Sequence, residues 1–227
     1  MDKVRGQPRP VRDGVSRVLA AIKKEVARYP VPVVGVIAED THDPFCVLVS
    51  CLISLRTRDA TTAAASARLF RLAQTPQAMA ALSVTQIEKA IYPAAFYRNK
   101  AKNLQRLCLR LLDHHGGVVP QSLETLLTLP GVGRKTANLV VTVAWHRPGI
   151  CVDTHVHRIG NRLGWIKTKT ADDSEQALRQ FLPKRHWITL NDRLVPFGQF
   201  VCRPISPFCS RCPIAASCEQ IGVTTRR

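Results

Sequence analysis

The sequence predicts an all-α fold. Three observations carry that expectation. Apolar residues recur at helical spacing through nearly every segment of the 227-residue chain. The breaks between those segments are Pro, Gly and Ser/Asp signals that start and stop helices. Only residues 31–38 look strand-like, and Pro30 and Pro32 at their start weaken even that reading.

The elements follow in order. Residues 15–28 place Val15, Val18, Leu19, Ile22 and Val26 on one face, with Arg17, Lys23 and Lys24 elsewhere. Tyr29-Pro30-Val31-Pro32 stops that helix. Residues 44–55 are a continuous apolar run, read as a buried helix, and residues 59–73 are Ala-rich and helical. Ser83 with Gln86 forms a capping box for a short helix that ends before Pro93. Residues 97–114 alternate Leu and basic positions at helical spacing until Gly116-Gly117. Ser122 caps another helix, broken by Pro130-Gly131-Val132-Gly133. Helices then run from Arg134 to Trp145, from Asp153 to Leu163, and from Asp172 to Pro183. No internal repeat or low-complexity segment interrupts them.

Composition narrows the function. Hydrophobic residues are 45% of the chain, enough for a real core. Lys and Arg number 33 against 16 acidic residues, a net charge of +17. A surplus that large favours a polyanionic partner, nucleic acid before a membrane surface. No apolar run approaches the ~20 residues of a spanning helix. The basic stretch Met1 to Arg12 leads into an amphipathic segment, not a secretory signal. The expected location is the cytoplasm of a prokaryote, in association with the nucleoid, or the nucleus of a eukaryote.

Eight cysteines divide into two groups. Cys46, Cys51, Cys108 and Cys151 sit in apolar stretches and read as small buried hydrophobes. Cys202, Cys209, Cys212 and Cys218 form Cys-x6-Cys-x2-Cys-x5-Cys, a metal-binding density of thiols. Spacing alone leaves zinc and an iron–sulfur cluster both open, since a four-cysteine site suits zinc and only Cys209 and Cys212 make a Cys-x2-Cys knuckle.

The chemistry concentrates in Leu129-Pro130-Gly131-Val132-Gly133-Arg134-Lys135-Thr136-Ala137-Asn138. Two glycines one residue apart, between helices, give a turn and a helix start whose amides suit a phosphate oxygen. An ordinary helix–helix turn is the plain alternative. Lys135 lies in the first turn of the second helix, where the helix dipole disfavours its charge. With partial desolvation its amine would become a nucleophile. Further on, Val152-Asp153-Thr154-His155 puts a carboxylate at a helix start. Capping is its ordinary role. Beside Lys135 it could also accept a proton and stabilise positive charge at a sugar carbon.

Taken together, Leu129 to Asn138 and Val152 to His155 resemble the endonuclease III branch of the helix–hairpin–helix DNA glycosylases. The resemblance runs from about Asp13 to Cys218. It implies a two-lobed all-α fold with DNA in the cleft between the lobes. The implied division is an N-terminal helix in 1–38, a six-helix bundle in 39–145 and a cluster lobe in 146–227. It implies that Lys135 attacks C1′ of a damaged nucleotide, forms a Schiff base and nicks the strand by β-elimination, with Asp153 assisting. The cysteine spacing matches the family's [4Fe-4S] pattern, so Cys202, Cys209, Cys212 and Cys218 become its ligands, in a loop whose Arg203 and Arg211 would meet phosphates. Gly131, Gly133, Arg134 and His155 become DNA-binding positions. Implied substrates are oxidised pyrimidines such as thymine glycol, and abasic sites, in double-stranded DNA, bound by a monomer.

Two positions depart from or refine the pattern. The family usually carries glutamine where Arg56 stands, a side chain that fills the gap left by the extruded nucleotide. Arginine offers a longer charged fork, or a simple phosphate contact. Phe96 matches an apolar wedge that enters the stack at the estranged base, with a core aromatic as the alternative. Arg98, Lys100 and Lys102 read as phosphate contacts or a solvated face. Related adenine glycosylases carry an acidic residue near Cys51 and lack the lysine, which sets them aside. A non-catalytic or monofunctional helix–hairpin–helix protein that binds damaged DNA is the remaining alternative.

Overall fold

The computed structural model describes residues 9–227, with side chains from Gly14 onward; the first eight residues of the basic stretch Met1–Arg12 lie outside the described residues. Among the described residues every regular element is helical, and no helix is long and apolar enough to cross a membrane. The chain divides into two compact units, one of residues 31–149 and one formed by residues 150–227 together with the N-terminal residues up to Pro30.

The first unit is built around the helix Pro44–Ser54. Helices α2 (Val33–Thr41), α3 (Pro44–Ser54), α4 (Asp59–Leu72), α5 (Pro76–Ala80), α6 (Val84–Ile91), α7 (Tyr97–His115), α8 (Leu123–Leu126) and α9 (Arg134–Ala144) follow in chain order. Every residue of α3 from Phe45 to Ile53 is buried, as expected of a helix apolar on all sides. Asp43 caps it, accepting from the Phe45 amide at 2.8 Å, and Pro44 occupies the first turn, where a missing amide costs nothing. Leu104, Leu107, Cys108 and Leu111 of α7 pack into the same core as Val140 and Val141 of α9. The capping box is present: the Gln86 amide donates to Ser83 Oγ and the Ser83 amide to Gln86 Oε1. Gly116, at φ 58, ends α7, and the Gly117 amide returns to the Leu111 carbonyl.

The strand-like reading of 31–38 is corrected. Pro32 takes the N-cap position of α2 with φ −55, and the helix begins at Val33. Val33, Val34, Ile37 and Ala38 then face the core together, which is helical and not alternating spacing.

The second unit packs α1 (Arg9–Val26) with α10 (Thr154–Arg162), α11 (Ala171–Phe181) and α12 (Trp187–Phe200). Val15, Leu19 and Ile22 of α1 meet Ile159, Leu178, Leu190, Leu194 and Phe197 in a core of its own. Helix α12 escapes the sequence pattern because Pro196 lies inside it, where proline normally breaks a helix. The segment after α12 carries the four clustered cysteines on irregular backbone and single 3-10 turns, Cys209–Arg211 and Ala215–Ser217. The four scattered cysteines are buried.

Candidate active site and cysteine centre

Helix α9 starts at a hairpin. Gly131 has φ 78, a conformation side chains resist, and the Val132 amide closes the turn on the Leu129 carbonyl at 3.1 Å. Gly133 is the N-cap and brings no side chain to the helix start. The first intrahelical bond is from the Ala137 amide to Gly133 O, so Arg134 and Lys135 occupy the positive end of the helix dipole. Lys135 is exposed. Its charge is felt by Cys51, on α3. Burial pushes that thiol up to about 12, and Lys135 pulls in the opposite direction. Cys51 is thus a neutral thiol and neither an acid nor a base at neutral pH.

Asp153 is the N-cap of α10. Its Oδ1 accepts from the His155 amide at 2.9 Å and the Val156 amide at 2.8 Å. Both cap bonds go to Oδ1 and neither to Oδ2. His155, expected to contact DNA, has its ring half-buried against α12, with Nδ1 at 3.1 Å from Arg158 Nη2. Gly198 makes that approach possible: a Cβ there would lie 2.4 Å from His155 Nδ1 and 2.8 Å from His155 Cβ. The second contact is at the root of the side chain, so the start of α10 itself would have to move. Gly198→Ala is expected to cost about 1–3 kcal/mol in urea denaturation. It is also expected to slow turnover by displacing the start of α10, whereas Gly14→Ala, whose added Cβ would meet nothing within 4 Å, should leave turnover unchanged.

Arg56 and Phe96 meet in the first unit. Both have left-handed backbone, at φ 55 and 56, a conformation that costs a non-glycine residue roughly 1–2 kcal/mol. Phe96 is 58% exposed, which removes the core-aromatic reading. The Arg56 guanidinium stands 5.7 Å from the centre of its ring, within cation–π range. Arg56 is exposed as well. Two strained, exposed side chains side by side are the sort of feature that persists for function.

Lys100 corrects the sequence reading. It is only 8% exposed and is neither a phosphate contact nor part of a solvated face. Its Nζ donates to Ile53 O at 2.6 Å, Leu55 O at 2.7 Å and Thr57 Oγ1 at 2.9 Å. Burial lowers the amine to about 8. The signal was present in the sequence: Lys100 falls on the same helical face as Leu104, Leu107 and Leu111. Arg98, by contrast, is exposed and stacks on Tyr97.

The four clustered cysteines line one cavity, floored by Leu163, Phe197, Val201 and Ile214. Burial and mutual repulsion push Cys212 up to about 11, and Cys218 is raised for the same reasons. Crowded thiols of this kind ionise only where a cation among the sulfurs offsets their charge. Donors already point at the sulfurs, Arg162 Nη1 at 3.4 Å from Cys202 Sγ and the Gln220 amide at 3.4 Å from Cys218 Sγ. Among the described residues no three such side chains close on a single metal ion; the four sulfurs instead ring a cavity, the donor set that thiolate-held clusters use. Arg158 and Arg162 of α10, both missed in the sequence, tie it to the loop: Arg158 donates to Gly198 O and Cys202 O, Arg162 to Arg203 O and Pro204 O. Arg203, Arg211 and Arg227 surround Phe208 at 5.2, 4.2 and 5.3 Å. Arg227 was also missed; its backbone pairs with Pro207 and Ser210.

A hairpin-capped helix with a lysine in its first turn, on an all-α scaffold, defines a class of DNA repair proteins. The profile of the HhH-GPD superfamily of base excision DNA repair proteins matches residues 49–184. The chain is 46% identical over 177 residues to endonuclease III of Thermotoga maritima, covering 78% of this chain and 83% of that one. It is 37% identical over 179 residues to endonuclease III of Bacillus subtilis, covering 78% and 82%. A solved non-covalent endonuclease III–DNA complex superimposes with a TM-score of 0.82 at 34% identity, over 92% of this chain and 95% of that one. A trapped endonuclease III–DNA covalent intermediate gives 0.81 at 33% identity, over 92% and 96%. The chain belongs to the endonuclease III family, the DNA glycosylases and AP lyases of base excision repair.

Proposed function

We propose that this chain excises oxidised pyrimidines from double-stranded DNA and then nicks the strand, with Lys135 as nucleophile. The observation that carries the reading is the exposed Lys135 amine in the first turn of α9, directly after the Gly131–Gly133 hairpin. The hairpin amides and the positive helix end suit a phosphate of the damaged strand, with Arg134 adding charge beside them. Seating the DNA removes water from Lys135, which favours its neutral form.

The uncharged Nζ attacks C1′. The C1′–N bond breaks, and the base departs with the bonding electrons and takes up a proton. The nitrogen lone pair then forms the C1′=N bond as the C1′–O4′ bond breaks; O4′ takes up a proton to become a hydroxyl, and the Schiff base keeps one N–H proton as an iminium. Asp153, through Oδ2, accepts the ammonium's proton and offsets positive charge at the sugar. Removal of a C2′ proton then expels the 3′ phosphate by β-elimination, and water releases the lysine. The target nucleotide must leave the stack for any of this, because C1′ is shielded in an intact duplex. Arg56 and Phe96 are the side chains proposed to take the vacated space.

Cys202, Cys209, Cys212 and Cys218 are proposed to hold a [4Fe-4S] cluster. It cross-links the C-terminal loop and takes no part in the steps above. Arg203, Arg211 and Arg227 then present positive charge from that loop to phosphates, so affinity should fall steeply with salt. Borohydride reduction during reaction with abasic or thymine glycol duplex tests the chemistry. A protein–DNA adduct that survives denaturation is expected; a protein that binds such DNA without ever forming one is a damage-binding module instead.

A further inference from the structure

We infer that Lys100 is a positioning residue that fixes Arg56 and Phe96 as one unit; the inference rests on the reading that these two side chains enter the duplex. The three hydrogens of its ammonium go to three oxygens that bracket Arg56: the carbonyls of Ile53 and Leu55 and the hydroxyl of Thr57. Those carbonyls close the C-terminal end of α3, where a cation is favoured by the helix dipole. Thr57 extends the frame. Its hydroxyl also accepts from the Ala95 amide at 3.1 Å, and Ala95 immediately precedes Phe96. The turn that carries Arg56 and the turn that carries Phe96 are thereby stitched through one amine and one hydroxyl.

That arrangement answers two questions. A buried ammonium is expensive unless its donors are fully used, and here all three are. Two adjacent side chains with left-handed backbone relax unless their surroundings hold them, and here the Leu55 carbonyl before Arg56 and the Thr57 hydroxyl after it are both bonded to Lys100 in the first turn of α7. Lys100 itself touches no DNA in this scheme. It acts through the geometry of Arg56 and Phe96, which governs how readily a base is extruded and which opposite base is tolerated.

The test compares two substrates under single turnover: a thymine glycol duplex, where the damaged base must be extruded, and a preformed abasic duplex, where no base is present. Lys100→Met keeps an unbranched side chain of nearly the same length and removes the donors. It should slow thymine glycol excision by about 10- to 100-fold while abasic cleavage falls about threefold or less. It should also narrow the spread of rates across the four opposite bases. Lys100→Arg, which restores a cation, should recover most of the loss. Thr57→Val keeps Lys100 and cuts the stitch to Ala95, and should move the same ratio in the same direction; it also serves if Lys100→Met does not fold. Equal losses on both substrates, or none on either, would overturn the inference while leaving the native activity intact. A native protein that processes neither substrate would instead overturn the functional reading, and this inference with it.

Discussion

Lys135→Gln should fold normally and still bind abasic DNA, yet yield no borohydride adduct. Its strand cleavage should fall on the order of 10³-fold or more, the usual consequence of removing a covalent nucleophile. The reason is chemical. Glutamine keeps the polarity of the side chain and most of its length but has no basic lone pair to form a bond to C1′. Stability should barely change, because Lys135 is exposed and surface substitutions cost about 0.5 kcal/mol or less. Lys135→Arg should be nearly as inactive, since the guanidinium stays protonated in proteins. Single-turnover cleavage of an abasic duplex, read beside equilibrium binding and a thermal melt, separates these effects. A Lys135→Gln protein with native cleavage would place the nucleophile elsewhere.

The second large effect is expected at the cysteine centre. Cys212→Ser should give a protein without the visible absorbance of an iron–sulfur cluster and without its complement of about four iron atoms. The melting temperature should drop by more than about 10 °C, since metal binding to a site absent in the unfolded chain is folding free energy. The structural reason is the number of connections that converge on the loop. Arg162 donates to Cys202 Sγ and to two loop carbonyls, Cys218 Sγ lies 3.5 Å from Arg162 O, and the loop's apolar floor is Leu163, Phe197 and Ile214. Losing the centre should loosen the unit built on α1, α10, α11 and α12 first. Amide exchange resolved by segment checks this. Faster exchange should appear in α10 and α12 before α3 or α7; a stable, metal-free Cys212→Ser protein would show that the cysteines are not a structural cross-link.

The parts of the site that were legible in the sequence are those whose chemistry is local. The two glycines before Lys135, the cap formed by Asp153, the Ser83–Gln86 box and the thiol spacing are short-range patterns, and each appears at its place. Parts that depend on long-range contact were not legible. Lys100 was read as surface because charge outweighed its register on the apolar face of α7, and only its bonds to Ile53, Leu55 and Thr57 reveal why a cation is buried there. The nearness of Arg56 to Phe96 joins residues from two separate turns. Arg158 and Arg162 looked like ordinary helix charges until their carbonyl partners in the cysteine loop were known. Helices α2 and α12 were not legible: the short β-branched run at 31–38 looked strand-like although Pro32 is the N-cap of a helix, and Pro196 lies within a helix that persists through it.

The most direct measurement is the site of covalent attachment. The native protein is reduced with borohydride during turnover on an abasic duplex, digested, and the sugar-bearing peptide sequenced by mass spectrometry. The remnant should sit on Lys135 and nowhere else. Attachment to the N-terminal amine or to another lysine, with Lys135 unmodified, would contradict the account at its root.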